Sequence, residues 1–339
     1  MRAAVFAYSR QGCRTARRVL DFFAGEDVSA YTMEKYAQDG FAPLGKPAQA
    51  FYGELFRTVD AMIFVGAVGI AVREIAPHVR DKRTDPAVIG IDELGHFVVP
   101  LLSGHIGGAN ALAQVLADEL GAVPVVTTAT DINRRFSVDA WAARQGFAIS
   151  SMYAAKLVSA AILERDVPLK SDFPVVTELP PGVIAGEEGE LGIYLTCTAD
   201  APFAQTLRLV PPVLHLGLGC RRDTPRERIA ELVEEVLREN RIDRRAVKCA
   251  ASIDLKADER GLLDFCEENG WPVKFYSAEE LLAVPGDFVV SEFVRSVTGV
   301  DNVCERAALL GAERIVVHKT ARNGVTVALA AEPLTIKFT

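Results

Sequence analysis

Short apolar runs alternate with helical patterns through the first part of the chain. Ala61–Val65 and Ala87–Ile91 are continuously apolar, as expected of strands that are covered on both faces. Between them, Val68–Val79 carries apolar residues at helical spacing. Gly108–Leu120 predicts a further helix, and Gly121 is a typical helix end. This alternation predicts an α/β domain with a mostly parallel sheet.

The pattern changes at about residue 131, where prolines accumulate up to Pro212, and it resumes at a strand-like run beginning at Val213. A strand-helix alternation then continues to the C-terminus, where two strands flank the predicted turn His318–Gly324. We therefore expect two α/β domains with mostly parallel sheets joined by a smaller irregular middle region that has edge strands. The predicted boundaries are 1–130 for the N-terminal domain with the glycine-rich motifs, 131–212 for the middle or linker region, and 213–339 for the C-terminal domain.

A glycine turn, GAVG, follows the apolar run that ends at Val65. Gly66 and Gly69 allow backbone N–H groups to face an anion at a helix start, and Arg73 follows within that helix. Tight packing between strand and helix would also require glycine, so both interpretations stay open. The turn is neither a GxGxxG dinucleotide fingerprint nor a Walker P-loop.

The segment SGHIGGAN, Ser103–Asn110, contains the strongest candidate for acid-base chemistry. His105 lies between glycines and before a predicted helix, although it is also consistent with a turn histidine bonded to backbone. Ser103 is a candidate nucleophile or hydrogen-bonding residue, but GxSxG is absent. The neighbouring residues are expected to bind substrate, with the amides of the last two glycines holding an oxyanion; they are Gly104, Asn110, Gly107 and Gly108.

A charged cluster, RDKRTDP, precedes the second buried strand. Its cations Lys82 and Arg83 are candidate ligands for anionic groups, and Asp85 is a candidate partner that orients His105 or shares its proton. A solvated loop is the plain alternative. The glycine turns follow strands of one predicted sheet, so we expect them to lie at one edge of it.

Three further segments end predicted strands with polar or basic residues. Thr128 belongs to TTATD, where a helix cap is an equally good interpretation. Arg221 in GLGCRR and Lys319 in HKTARNG are candidates for a second anion-binding wall. All are expected to contact substrate.

Composition excludes several classes of function. The net charge is −8, which disfavours nucleic-acid binding. None of the six cysteines forms a CxxC pair, so no metal site is expected. No apolar run reaches the ~18–20 residues of a membrane span. These features predict a cytoplasmic protein with neither a nucleic-acid nor a membrane partner.

The chain resembles the cobalt-precorrin-5A hydrolase family of anaerobic cobalamin biosynthesis over essentially its whole length. The resemblance is carried by FVGAVGIAVR, IAPHVRDKRTDPAV, LLSGHIGGAN, PVVTTATD, SVDAWAARQG, LKSDFP, LGLGCRRDT, SEFVRSVTGVDNVCERAAL and KTARNGVTVALA. It implies a cobalt tetrapyrrole as substrate, opening of its δ-lactone with water, loss of acetaldehyde, and cobalt-precorrin-5B as product. It also implies that the cobalt arrives with the substrate, so no cofactor is expected. Neighbouring enzymes of the pathway are candidate partners.

Two other functions are compatible with the same motifs. A non-catalytic tetrapyrrole carrier would use the Ser-Gly-His turn for binding alone. A regulatory module that binds nucleotides or sugar phosphates would use the glycine turns, and ligand-induced thermal stabilisation would distinguish it.

Overall fold

The computed structural model describes residues 1–37, 40–81, 84–105 and 107–338, and the elements below belong to these ranges. The chain forms two compact units, Met1–Ala140 and Trp141–Thr339. None of the helices in the described ranges combines the length and the apolar character needed to cross a bilayer.

The first unit contains a mixed sheet whose strands follow the order β3-β2-β1-β4-β5-β6-β7. The strands from β1 to β5 are parallel to their neighbours, whereas β6 is antiparallel to β5 and parallel to β7. Their bounds are β1 Arg2–Ala7, β2 Asp27–Thr32, β3 Phe41–Pro43, β4 Ala61–Val65, β5 Ala87–Ile91, β6 Phe97–Leu102 and β7 Val123–Pro124.

Helices cover both faces of this sheet. Val5 of β1 packs in a core with α1 and α4, and Phe6 packs on the opposite face with α2 and α3. Successive side chains of a strand point to opposite faces, which explains why the central strands are apolar throughout. The helices are α1 Arg10–Phe22, α2 Ala48–Thr58, α3 Val68–Ile75, α4 Ala109–Leu120, α5 Ala129–Ile132 and α6 Val138–Arg144, the last of which contains the boundary between the units.

The reversed direction of β6 decides where the two glycine motifs lie. Ile91 pairs with Val98, and Val88 pairs with Leu102. The end of β6 therefore lies beside the beginning of β5, at the opposite edge of the sheet from the end of β4. The prediction that both glycine turns share one edge is wrong. The short link between β5 and β6 was the available signal, because parallel strands need a connection of about a dozen residues or more.

The second unit begins with a five-stranded sheet of order β10-β9-β11-β12-β8. The pairs among β9 to β12 are parallel, and β8 is antiparallel to β12. The region expected to be irregular thus contains a regular sheet of short strands, with prolines in and between them. Its elements are β8 Ala148–Ile149, α7 Met152–Glu164, β9 Val167–Ser171, β10 Val183–Ala185, β11 Leu191–Leu195 and β12 Gln205–Val210. The predicted domain boundaries stay predictions.

The second unit continues with a third sheet of order β15-β14-β13-β17-β16. The last two strands form an antiparallel hairpin, and β17 is also antiparallel to β13. The elements are β13 Leu214–Cys220, α8 Arg226–Glu239, β14 Val247–Ile253, α9 Arg260–Asn269, β15 Val273–Tyr276, α10 Ala278–Ala283, α11 Glu292–Thr298, α12 Val303–Leu309, β16 Arg314–Arg322 and β17 Val325–Ala331. Three sheets with helices confirm the α/β class.

One predicted turn is mostly strand. The segment from His318 to Arg322 belongs to β16, and the turn consists of Asn323 and Gly324, both with positive φ. An Asn-Gly pair is the typical two-residue hairpin turn, and the sequence contains it. The predicted turn is therefore correct at its C-terminal end and begins five residues too early. Lys319 is therefore a strand residue.

Candidate functional site

The SGHIGGAN segment forms a compact turn that only glycine permits at two positions. A Cβ atom at Gly107 would lie 2.4 Å from Ser103 Cβ, and one at Gly104 would lie 2.6 Å from Asn110 Oδ1. Ser103 itself has a positive φ of 57° and Gly108, the N-cap of α4, one of 79°. The glycines therefore serve the close approach of turn and helix.

Carbonyl groups of the turn bind the first amides of α4. Ala109 N donates to Ser103 O at 3.1 Å, and Asn110 N donates to Gly104 O at 3.0 Å. Gly108 N donates to His105 O at 3.0 Å. An oxyanion would have to displace this last bond in order to use the Gly108 amide.

The turn places the His105 ring between two carboxylates. Its Nε2 atom lies 3.0 Å from Asp131 Oδ2 in α5, and its Nδ1 atom lies 3.3 Å from Asp139 Oδ1 in α6. The hydroxyls of Thr130 and Ser137 each lie 3.2 Å from Nε2. The Asp139 side chain is 9% exposed and that of Asp131 is 39% exposed, so the two carboxylates differ in access to water.

These contacts raise the pKa of His105 above its ordinary value. The hydrogen bond with Asp139 is the largest cause and Asp131 contributes further, while burial opposes both. With a carboxylate at each ring nitrogen, both nitrogens carry hydrogen when the ring is an imidazolium. The resting side chain is thus a proton donor over more of the neutral range than a free histidine.

Asn110 and Thr128 support the Asp131 side of the site. Asn110 Nδ2 donates to Asp131 Oδ2 at 2.9 Å and to Thr128 Oγ1 at 2.8 Å. Thr128 is the N-cap residue of α5, without a side-chain capping bond. Two residues predicted to bind substrate therefore also fix the carboxylate that faces His105.

Asp85 and Ser103 lie at this edge of the sheet and bind each other through the backbone. Ser103 Oγ donates to the carbonyl of Asp85 at 2.9 Å. The Asp85 carboxylate accepts from the amides of Arg80 and Asp81 at 2.9 and 3.1 Å. Among the described residues, the carboxylates that contact the His105 ring are those of Asp131 and Asp139. Lys82 and Arg83 lie outside the described residues.

The GAVG turn lies at the opposite sheet edge. Gly66 has φ 154° and donates to Ile91 O at 2.7 Å. Gly69 is exposed, and a Cβ atom there would lie 3.8 Å from both terminal nitrogens of Arg73. The structure brings these three predicted residues together, but not with His105.

The two predicted basic residues of the second unit lie on the third sheet. Arg221 is exposed, and its amide donates to Gly324 O at 3.0 Å. Lys319 is half-buried, and its amide donates to Glu305 Oε1 at 2.9 Å. The adjacent cation Arg222 is already paired with Asp258 at 2.7 Å.

The sequence did not identify Asp139 and did not single out Asp131 as a contact of His105. Asp131 was visible in TTATD as a carboxylate at a helix start. Asp139 is an acidic residue in the otherwise apolar helical segment VDAWAA, and it is buried. A charged side chain in such a helix is a signal, because charged groups are rarely buried without a partner.

Two family models match separate parts of the chain, and relatives match almost all of it. Residues 50–131 match the model described as cobalamin synthesis G N-terminal, and residues 214–330 match that described as cobalamin synthesis G C-terminus. A cobalt-precorrin-5A hydrolase of Salmonella typhimurium is 36% identical over 341 residues, covering 96% of each chain. One of Priestia megaterium is 30% identical, covering 97% of this chain and 95% of its own. A probable one of Methanocaldococcus jannaschii is 28% identical, covering 82% and 87%.

The SGHIGGAN turn lies within the matched region, and the similarity extends over almost the full length of the chain. The chain belongs to the cobalt-precorrin-5A hydrolase family.

Proposed function

We propose that this protein hydrolyses the δ-lactone of cobalt-precorrin-5A and releases acetaldehyde, giving cobalt-precorrin-5B. The observation that carries the proposal is the His105 ring held between Asp131 and Asp139 in a chain 36% identical to a cobalt-precorrin-5A hydrolase. Cobalt belongs to the substrate, and the proposed reaction uses no organic cofactor.

The first step is lactone opening. Water attacks the acyl carbon and the ring C–O bond breaks, giving a carboxylic acid and an alkoxide on the two-carbon fragment. The more exposed Asp131 carboxylate accepts a proton from the water, and the His105 imidazolium donates its Nε2 proton to the departing alkoxide. Asp139 keeps the ring charged and oriented for this transfer.

The second step releases the fragment. Neutral His105 takes back the proton from the new hydroxyl, the carbon–carbon bond to the macrocycle breaks, and acetaldehyde leaves. The electron pair remains in the conjugated macrocycle, whose carbon takes the proton that Asp131 accepted from the water, so Asp131 is again a carboxylate. His105 ends as it began, so the raised pKa suits a group that acts first as an acid and then as a base.

Binding a polyanion to an acidic protein requires local cations. The exposed Arg80, whose amide donates to the Asp85 carboxylate on the same side of the first sheet as Ser103, is proposed to meet a substrate carboxylate.

The test is incubation of the purified protein with cobalt-precorrin-5A in heavy-oxygen water. We expect acetaldehyde in the volatile fraction and one heavy oxygen in the new carboxylate of the corrinoid, measured by mass spectrometry. Acetaldehyde without heavy oxygen in that carboxylate would contradict acyl attack by water. An unchanged macrocycle would contradict the function itself and favour a carrier.

A further inference from the structure

Edge strand β16 contains a bulge at His318 and Lys319. Val317 pairs with Leu329 of β17 and Thr320 pairs with Val327, so three steps along β16 match two along β17. β16 is the outermost strand of the third sheet. An extra residue in one strand redirects side chains and frees a backbone amide from the ladder, and such bulges are frequent beside functional sites.

A buried carboxylate accepts hydrogen bonds from the two groups that the bulge redirects, the His318 ring and the Lys319 amide. Glu305 in α12 is 1% exposed, and its Oε1 atom accepts from His318 Nδ1 and from Lys319 N, each at 2.9 Å. Its Oε2 atom accepts from Asn302 Nδ2. Both carboxylate oxygens thus have donors, and one of these donors is the imidazole.

This arrangement fixes the tautomer and the direction of the neutral His318 ring. A carboxylate only accepts, so Nδ1 carries the hydrogen, and in the neutral ring Nε2 carries a lone pair. The side chain is 79% exposed, and within the described ranges no protein atom bonds Nε2. Stabilising the bulge needs Nδ1 alone, which leaves the outward nitrogen without a structural role.

The other exposed or carboxylate-bound histidines of this protein lack the combination. His105 has a carboxylate at each ring nitrogen, so neither nitrogen is left without a partner. His215 has a carboxylate contact with Glu332 at 2.8 Å but is fully buried. His96 is exposed, but its nearest carboxylate oxygen, in Asp92, is 3.9 Å away and is itself partly exposed.

We propose that His318 Nε2 is an axial ligand of the cobalt in the tetrapyrrole. A histidine whose second nitrogen donates to a carboxylate is the common form of a metal-binding imidazole, because the carboxylate fixes the tautomer and raises ligand basicity. The Co–N bond forms from the Nε2 lone pair, and the Nδ1 proton stays on the ring. The identity of the metal carrier rests on the proposed function.

The surface around the bulge includes apolar positions suited to the face of a macrocycle. Val316, two residues before His318, is 37% exposed. Val289 is 65% exposed, and its carbonyl accepts from Asn302 Nδ2 at 3.3 Å, so it adjoins the same hydrogen-bonded group. Exposed apolar side chains beside a directed polar ligand are typical of small-molecule sites.

The test is electron paramagnetic resonance of cob(II)inamide, a cobalt corrinoid without a nitrogen base of its own, mixed with an excess of the full-length protein. One axial nitrogen should split each cobalt line into a triplet. Protein labelled with heavy-nitrogen histidine should convert each triplet into a doublet, and this arm needs no substitution. Unsplit lines with the protein in excess, or triplets that survive the label, would overturn the proposal.

Variants identify the ligand. His318→Ala should abolish the splitting, whereas His96→Ala, which removes another exposed histidine, should retain it. Glu305→Gln should weaken cob(II)inamide binding about 10–100-fold, the usual effect of losing a partner of a metal ligand. Splitting that persists in His318→Ala would assign the ligand elsewhere.

The acetaldehyde assay separates this proposal from the function on which it rests. Acetaldehyde formation without nitrogen splitting would reject the cobalt ligand and leave the hydrolase intact. Splitting without acetaldehyde formation would leave the ligand and reject the hydrolase.

Discussion

Asp139 Oδ1 lies 3.3 Å from His105 Nδ1, and this contact pairs a nearly buried carboxylate with a largely buried imidazole. The pair contributes most to the raised pKa of His105. The residues are 34 positions apart (139 − 105) in the sequence, in different elements of the first unit. Asp139 is thus a positioning residue that acts through His105.

Replacing Asp139 should move the pH dependence of turnover. His105 donates a proton in the proposed first step, so activity falls as pH rises through its raised pKa. In Asp139→Asn that fall should begin at lower pH, since the opposite charge that contributes most to the raised pKa of His105 is lost. Asn keeps an oxygen for the Ala140 amide, which donates to Asp139 Oδ1 at 3.0 Å. The measurement is kcat/KM against pH, and an unmoved alkaline limb would remove Asp139 from the proton chemistry.

Removing the imidazole should greatly reduce turnover without unfolding the protein. We expect His105→Ala to lower kcat by about 10²–10⁴-fold, the usual loss for an acid-base group. His96→Ala is the matched control, because His96 is exposed and near the opposite edge of the sheet, and it should keep normal turnover. Circular dichroism of both variants establishes that the fold is retained. Near-normal turnover in His105→Ala would place the proton donor elsewhere.

Two glycine-to-alanine substitutions should have opposite effects on stability. Gly107→Ala puts a Cβ atom 2.4 Å from Ser103 Cβ and should lower both Tm and turnover. Gly69→Ala lies in helix α3 with its nearest neighbour at 3.8 Å and should raise the free energy of unfolding by about 0.5–1 kcal/mol. Equal effects of the two substitutions on Tm would show that the SGHIGGAN turn tolerates a side chain. Normal turnover in Gly69→Ala would remove the predicted approach of a ligand to that backbone.

Asp85 should affect stability rather than proton transfer. Asp85→Ala removes the carboxylate that accepts from the amides of Arg80 and Asp81. The loss should cost about 1.5–3 kcal/mol of unfolding free energy, the usual worth of hydrogen bonds to a charged group. Urea denaturation measures that loss. The alkaline limb of the pH profile should stay in place, in contrast to Asp139→Asn. A shifted limb would restore Asp85 as a partner of His105.

The sequence predicts strands best where both faces are buried, because such strands are apolar at every position. The bounds of β4 and β5 agree with the apolar runs, since strands covered on both faces need apolar residues throughout. The direction of β6 was missed because periodicity carries no information on strand polarity. The middle sheet was missed because prolines at strand ends resemble loop signals.

The candidate site was predicted only in its local part. Glycines around His105 reveal the turn, because close approach restricts those positions to glycine. The carboxylates that set its pKa belong to α5 and α6, and no local spacing connects them to the turn. His318 falls in the predicted turn, because its bulge depends on register with β17 and its partner Glu305 lies in α12, neither of which a local pattern reveals.

The hydrogen bonds between the turn and α4 have a consequence for conformational entropy. The carbonyls of Ser103, Gly104 and His105 are bound by amides of the helix start before any ligand arrives. The order of this loop is therefore acquired during folding, and substrate binding does not have to restrict it again. A group that must meet a lactone within hydrogen-bond distance gains most from such preorganisation.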